Sequence, residues 1–133
     1  MSTGKKILII DDDLQILRLC RAFLEGVGYT VVESSNGINA SELCGEGSVD
    51  LVITDIIMQD KEGMQIILEL RHEFPGLKII AMSGGGRLGP NSYLPLAEKM
   101  GADRTISKPF TRQSLLDCVE ELLREPQSNR SLI

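Results

Sequence analysis

The chain has no apolar run approaching the ~20 residues that a membrane-spanning helix requires, which argues against an integral helical membrane protein. It has three cysteines, Cys20, Cys44 and Cys118, widely spaced and without a C-x-x-C pair, and His72 is its single histidine. That set argues against a thiolate zinc site and points to reduced cysteines in partly buried helix positions. Basic charge is also scarce. Fourteen Lys and Arg face nineteen acids, for a net charge of −5 and a pI near 4.9, so the basic patch of a direct nucleic-acid binder is not expected. No internal repeat, low-complexity tract or linker interrupts the chain. The first apolar segment ends in three aspartates instead of a small-residue cleavage site, so it is not a signal peptide, and a cytoplasmic location is expected.

What is present fits one globular domain. The 133 residues are 42% hydrophobic and 25% charged, the balance of an ordinary soluble fold with one core. A single domain over 1–133 is expected, with a core over 5–124 and a flexible tail over 125–133. The first apolar run, Lys6 to Ile10, reads as a strand. Ile16, Leu17, Cys20, Phe23, Leu24 and Val27 then recur at helical spacing, with Gly26 and Gly28 as the stop. Tyr29 to Glu33 reads as a strand, and Ile38, Ala40, Leu43 and Cys44 as a short helix ended by Gly45 or Gly47. Leu51 to Thr54 is a third strand and Met64 to His72 a helix. Leu77 to Met82 is a fourth strand, and a helix starting near Asn91 or Ser92 runs to Met100. Arg104 to Ser107 is the fifth strand. Thr111 is the N-cap of a last helix built on Leu115, Leu116, Val119, Leu122 and Leu123.

Strands and helices alternate five times with short connections, which predicts an α/β fold with a parallel sheet and helices on both faces. The first, third and fourth strands are almost wholly apolar, as strands buried on both faces must be. The second and fifth are half polar, as edge strands can be. The flavodoxin-like, doubly wound order 2-1-3-4-5 places those two at the edges and the other three in the centre, and it is the order expected.

In that arrangement the winding reverses between the first and third strands, and ligands bind at the carboxyl ends there. The two tips carry Asp11, Asp12 and Asp55. Carboxylates crowded together raise each other's pKa, and a divalent cation such as Mg²⁺, which takes hard oxygen ligands and keeps room for phosphate, relieves the conflict. Asp13, at the start of the first helix, reads more simply as its N-cap. Ser83 at the fourth tip adds a hydroxyl, and Lys108 at the fifth adds a cation. Alone, each is an ordinary turn or surface residue. Together they are the parts that hold a phosphoryl group during transfer, a reaction governed by positioning and charge neutralisation. A cis Lys108–Pro109 bond would aim the lysine inward.

These residues resemble the receiver domain of two-component response regulators. The resemblance runs over roughly residues 5 to 124. It rests on Ile7 to Asp13, Asp50 to Asp55, Gly63, Ile79 to Ser83, Gly101-Ala102-Asp103 and Lys108-Pro109-Phe110, in that order on the right elements. It implies that Asp55 receives a phosphoryl group from the phosphohistidine of a sensor histidine kinase or histidine phosphotransfer protein. It also implies that Asp12, Asp55 and the Ile57 carbonyl ligate Mg²⁺, with Asp11 acting mainly through water. Ser83 would bond a phosphoryl oxygen and Lys108 would pair with it. The domain would be a phosphoacceptor that assists its own phosphorylation and dephosphorylation, not an enzyme in the usual sense. Its output would be a downstream protein or a second copy bound at the face of helix 4, strand 5 and helix 5, without direct contact to nucleic acid or membrane.

Three features depart from the family pattern. Met58-Gln59 stands where many receivers carry proline at the second position. Thr105 replaces the usual aromatic residue and cannot make its large inward rotation. The segment from Ser83 through Pro90 is longer and richer in glycine than usual. Two rival functions are open on residues alone. A haloacid-dehalogenase-like phosphohydrolase would use Asp11 as its nucleophile, and a non-phosphorylated interaction domain would bind neither Mg²⁺ nor phosphate.

Overall fold

The computed structural model describes residues 3–47, 49–56, 63–84 and 94–125. Ile57, Met58, Gln59, most of the glycine-rich segment and the tail beyond Glu125 lie outside them. Strands β1 (Lys6–Ile10), β2 (Thr30–Ser34), β3 (Leu51–Asp55), β4 (Lys78–Ser83) and β5 (Arg104–Ser107) alternate with five helices. These are α1 (Leu14–Glu25), α2 (Ala40–Gly47), α3 (Gly63–Glu73), α4 (Leu94–Met100) and α5 (Arg112–Arg124). The strands are parallel and lie in the order β2-β1-β3-β4-β5. β3 and β4 are buried along their whole length, and β1 is buried from Ile7 onward, whereas β2 and β5 carry exposed positions. The expected centre and edges are therefore realised.

Alternation along the strands builds two cores. Ile7, Ile9, Leu51, Ile53, Ile80 and Met82 face one side and pack with Leu17, Cys20 and Leu24 of α1 and Leu115, Val119 and Leu122 of α5. Leu8, Ile10, Val52, Ile79 and Ala81 face the other side and pack with Ala40 and Cys44 of α2, Ile66, Ile67 and Leu70 of α3, and Ala97 of α4. Each fully buried Leu or Ile side chain contributes roughly 1.5–3 kcal/mol, so the sheet is held from both faces. The three cysteines are free thiols on helices, two of them buried.

Several boundaries differ from expectation, each for a local reason. Val27 falls beyond α1 and is 39% exposed. Gly26 keeps right-handed helical geometry, and Gly28, at φ 99°, makes the turn. Ile38 precedes α2 and is 63% exposed. There Asn36 accepts the Ile38 N–H and Gly37, at φ 72°, turns the chain, so the helix begins only at Ala40. Gly45 lies inside α2, which runs on to Gly47. Strand β2 starts one residue late, at Thr30. Strands β3 and β4 each extend one residue further than expected, because the pairing continues through Asp55 opposite Met82 and Ser83 opposite Ser107. Both predicted helix caps are present. Asp13 accepts the Gln15 N–H at 2.9 Å, and Thr111 forms a reciprocal capping box with Ser114.

The end of the sheet remote from the aspartates is fastened by one guanidinium. Arg71, on the last turn of α3, donates to the carbonyls of Gly101, Pro75 and Leu77 at 2.7–3.1 Å and to Asp103 Oδ2 at 2.9 Å. The same Asp103 oxygen accepts the Ile79 N–H at 2.8 Å, and the Asp103 N–H donates to the Ile79 carbonyl at 2.7 Å. Gly101, at φ 127°, lies so close that a Cβ would sit 2.9 Å from the Arg71 side chain. Helix α3, the start of β4 and the entry to β5 are thus tied by one group. The opposite end is set by Gly63, where a Cβ would lie 1.8 Å from the Asp55 carbonyl oxygen and 2.7 Å from Ile56 Cα. Its N–H donates to the Ile56 carbonyl at 2.8 Å, so α3 begins in direct backbone contact with the end of β3.

Two outcomes follow for stability. Arg71→Ala removes the guanidinium from a 3%-exposed Asp103 carboxylate and from three carbonyls, and urea denaturation should show a loss of about 3–5 kcal/mol. Gly63→Ala places carbon against backbone that cannot rotate away, and the same measurement should show a loss of roughly 2–4 kcal/mol.

Candidate functional site

The polar residues at the strand tips converge. Asp11, directly after β1, is fully buried, and its N–H donates to the Ser34 carbonyl at 3.2 Å. Both its carboxylate oxygens are used: Oδ1 accepts the Asp13 N–H at 2.9 Å and Oδ2 receives Lys108 Nζ at 2.7 Å. Asp55 closes β3 and is 7% exposed. Asp12 is exposed and completes a cluster in which one oxygen from each of Asp11, Asp12 and Asp55 lies within 4.8 Å of the others. Ser83, 3% exposed, ends β4 beside them, and its carbonyl accepts the Lys108 N–H at 2.8 Å. The Lys108–Pro109 peptide is cis. Lys108 Nζ reaches across the site, lying 3.3 Å from Asp55 Oδ1 as well as against Asp11.

The electrostatics follow from that packing. Two charged carboxylate oxygens within 4.8 Å of each other repel by about 3 kcal/mol or more at an effective dielectric near 20, and a third adds to this. Burial pushes Asp55 up to about 6 from an ordinary 3.8; Lys108 opposes the rise, while the charges of Asp11 and Asp12 add to it. Burial alone would lower the Lys108 ammonium, but its hydrogen bond to Asp11 and the charges of Asp55 and Asp11 outweigh that, and its pKa is raised. The lysine therefore stays charged and serves as the cluster's internal counter-ion. Cys20, beneath the site on α1, is pushed up to about 12 by burial, with the Asp11 charge adding to the rise. It is an inert core thiol, not a nucleophile.

The donor set suits a hard divalent cation: carboxylate oxygens only, with no sulfur or imidazole among them. Asp11, Asp12, Asp55, Ser83 and Lys108 are thus brought together as the sequence predicts, and Asp13 is a helix cap. The Ile57 carbonyl lies outside the described residues. Sequence reasoning missed Gly84, whose Cα lies under the Lys108 stem: a Cβ there would be 2.9 Å from Lys108 Cδ. Nothing local signals this, because the two residues are separated by a helix and a strand. It also missed the backbone contact that requires glycine at position 63.

Known proteins carry the same pattern. The family model for the response regulator receiver domain matches residues 7–120. The chain is 32% identical over 120 residues to the chemotaxis protein CheY of Halobacterium salinarum, covering 90% of this chain and 98% of that protein. It is 34% identical over 127 residues to the sensor kinase CckA of Brucella abortus, covering 94% of this chain but only 13% of that protein. A receiver domain protein of Clostridium thermocellum superposes with a TM-score of 0.80 at 32% identity, covering 90% of this chain and 94% of that one. Neither the phosphohydrolase nor the non-phosphorylated interaction domain is favoured by these matches. Among the described residues, no helix is long and apolar enough to cross a membrane. Receiver domains bind Mg²⁺ at an acidic pocket and interact with histidine kinases and downstream targets. The chain belongs to the response regulator receiver domains of two-component systems, a signalling family whose general function is the acceptance of a phosphoryl group on an aspartate.

Proposed function

We propose that Asp55 is the phosphoacceptor of this domain and that Asp11, Asp12, Asp55 and the Ile57 carbonyl hold Mg²⁺. The observation that carries this reading is the convergence of three carboxylates within 4.8 Å around one lysine ammonium. An Asp55 oxygen attacks the phosphorus of a phosphohistidine, the P–N bond breaks, and the imidazole leaves with its electron pair. Mg²⁺, when bound, supplies charge neutralisation for the phosphoryl oxygens. Lys108 turns its ammonium from the carboxylates toward the new dianion, and the Ser83 hydroxyl donates to one of its oxygens. Asp11 engages both its oxygens with Asp13 and Lys108, which suits a positioning acid better than a nucleophile.

The donor is a sensor histidine kinase or a histidine phosphotransfer protein. The phosphorylated acid brings roughly −1.5 to −2 charge and strong acceptor oxygens, and the pull on Ser83 and Lys108 biases the surface of α4, β5 and α5 toward a downstream protein or a second copy. One receiver unit over residues 5–124, located in the cytoplasm, is sufficient for these steps.

Two measurements test the assignment. Incubation with acetyl phosphate and Mg²⁺, followed by mass spectrometry, should give one phosphoryl adduct on the wild type and none on Asp55→Asn; an adduct that persists in the variant would falsify it. The second uses pH. An acid whose pKa is higher folded than unfolded binds protons more tightly when folded, so its contribution is fully present below about 4 and is lost as pH rises through about 6. A rise from 3.8 to about 6 corresponds to roughly 3 kcal/mol. In EDTA at pH 7.5, Asp55→Asn should therefore be more stable than the wild type by about 1–3 kcal/mol, and urea denaturation at lower pH should show that gain closing toward pH 4.

A further inference from the structure

Lys108 is held at both ends. Its N–H donates to the Ser83 carbonyl at 2.8 Å, and its Nζ lies 2.7 Å from Asp11 Oδ2 and 3.3 Å from Asp55 Oδ1. Between those ends the alkyl stem crosses directly over Gly84. A Cβ at position 84 would stand 2.9 Å from Lys108 Cδ, 3.6 Å from its Cβ and 3.7 Å from its Cε. The last two are ordinary contacts, but the first is well inside the ~3.5–4.0 Å optimum for carbon pairs. A free lysine would swing aside at little cost. This one has its backbone fixed to Ser83 and its Nζ held by the carboxylates, so a shift of Cδ works against the seating of Nζ.

Among the described residues, no other demand for glycine is visible at this position. Gly84 is exposed, and its φ lies outside the left-handed region, so an L side chain would meet neither backbone strain nor a packed core. The neighbour that excludes one is Lys108.

We propose that Gly84 is a positioning residue for Lys108, its missing side chain seating the ammonium between Asp11 and Asp55 and so setting how strongly the lysine competes with a divalent cation for those two carboxylates. This rests on the reading of the acid cluster as the metal and phosphoryl site. The lysine and the cation neutralise the same oxygens, so each weakens the hold of the other. The lysine is also the counter-charge for the incoming phosphoryl group. A side chain at 84 therefore moves two quantities in opposite directions. With Nζ lifted away, the cation meets less competition and binds more tightly, while the phosphoryl group loses a partner and forms its adduct more slowly. Damage to the fold would instead weaken both.

Calorimetric Mg²⁺ titration and acetyl phosphate adduct formation, run on the wild type, Gly84→Ala, Gly84→Val, Lys108→Met and the Gly84→Val/Lys108→Met pair, test this. Gly84→Val should bind Mg²⁺ roughly three- to tenfold more tightly than the wild type, the scale of one partly exposed ion pair, and should form adduct more slowly. Gly84→Ala, with a single added methyl, should show the same two directions at smaller size. In the Lys108→Met background, Gly84→Val should change Mg²⁺ affinity by less than about twofold, because coupled residues are not additive. Unchanged or weakened Mg²⁺ binding in both Gly84 variants, or an equal effect with and without the lysine, overturns the positioning role. Absence of Mg²⁺ binding by the wild type overturns the reading of the site itself, and the positioning role with it.

Discussion

Three carboxylates at the buried end of a parallel sheet must be neutralised, and much of this structure supplies the means. Asp11 is buried fully and Asp55 nearly so, beside Asp12. Water cannot screen charges placed there, and burial accordingly raises Asp55 to about 6. Lys108, delivered from the end of β5, lies against Asp11 and Asp55. Its backbone is fixed to Ser83 and its stem lies over Gly84. On the proposed reading, such a cluster is disposed to take up a divalent ion. It is also disposed to exchange that lysine's attention for a dianion. The instability of the bare site and its chemistry have the same origin.

Holding such a cluster requires the strand ends to be immobile, and the two ends of the sheet solve this differently. At the acidic end, glycine brings backbone against backbone: Gly63 stands on the Asp55 carbonyl, so the start of α3 cannot drift from Asp55. At the opposite end, Arg71 gathers three carbonyls and Asp103, binding α3 to the β4 and β5 entries. Asp50 performs a comparable service for the two central strands, its carboxylate accepting the Lys6 N–H at 2.8 Å while its own N–H donates to the Lys6 carbonyl at 2.9 Å. Helix α3 is therefore pinned at both termini.

The sheet was legible because burial on both faces leaves a compositional mark. Ile7 to Ile10, Leu51 to Ile53 and Ile79 to Met82 contain almost nothing polar, and a strand with solvent at one edge, such as Thr30 to Ser34, does. That contrast puts the second and fifth strands at the edges, as the flavodoxin-like order 2-1-3-4-5 does, and that order brings Asp11, Asp12, Asp55, Ser83 and Lys108 to one end. The caps at Asp13 and Thr111 were legible because capping is local chemistry. Contacts between residues distant in sequence left no such mark. Gly84 reads as one of a run of glycines, and only the fold reveals that it lies beneath a lysine two elements away. Arg71 reads as a polar residue on the outer face of a helix, and its carbonyl partners carry no side-chain signature. Val27 and Ile38 were assigned to helices because hydrophobic period cannot distinguish a last apolar contact from an exposed residue in the adjoining turn.

Thr105 sharpens the question of how a phosphorylated Asp55 would be felt at a distance. It is half-buried on β5, paired in register with Ala81 of β4. A threonine has no ring to rotate, so the aromatic switch of many receivers is not available at position 105. On the proposed reading, the link from the site toward α4, β5 and α5 runs through Ser83 and Lys108. Ser83 ends β4, and Lys108 directly follows β5 and leads into α5 through Pro109 and the Thr111 cap. The two are joined by a backbone hydrogen bond, so a pull on one displaces the other. On the proposed reading, the phosphoryl group pulls on both at once, and the strain it introduces leaves the site along two strands' ends instead of through one side chain. A relay of that kind needs a lysine whose position is defined before the phosphoryl group arrives, because a stem free to wander would absorb the displacement. Gly84 is where the structure supplies that definition.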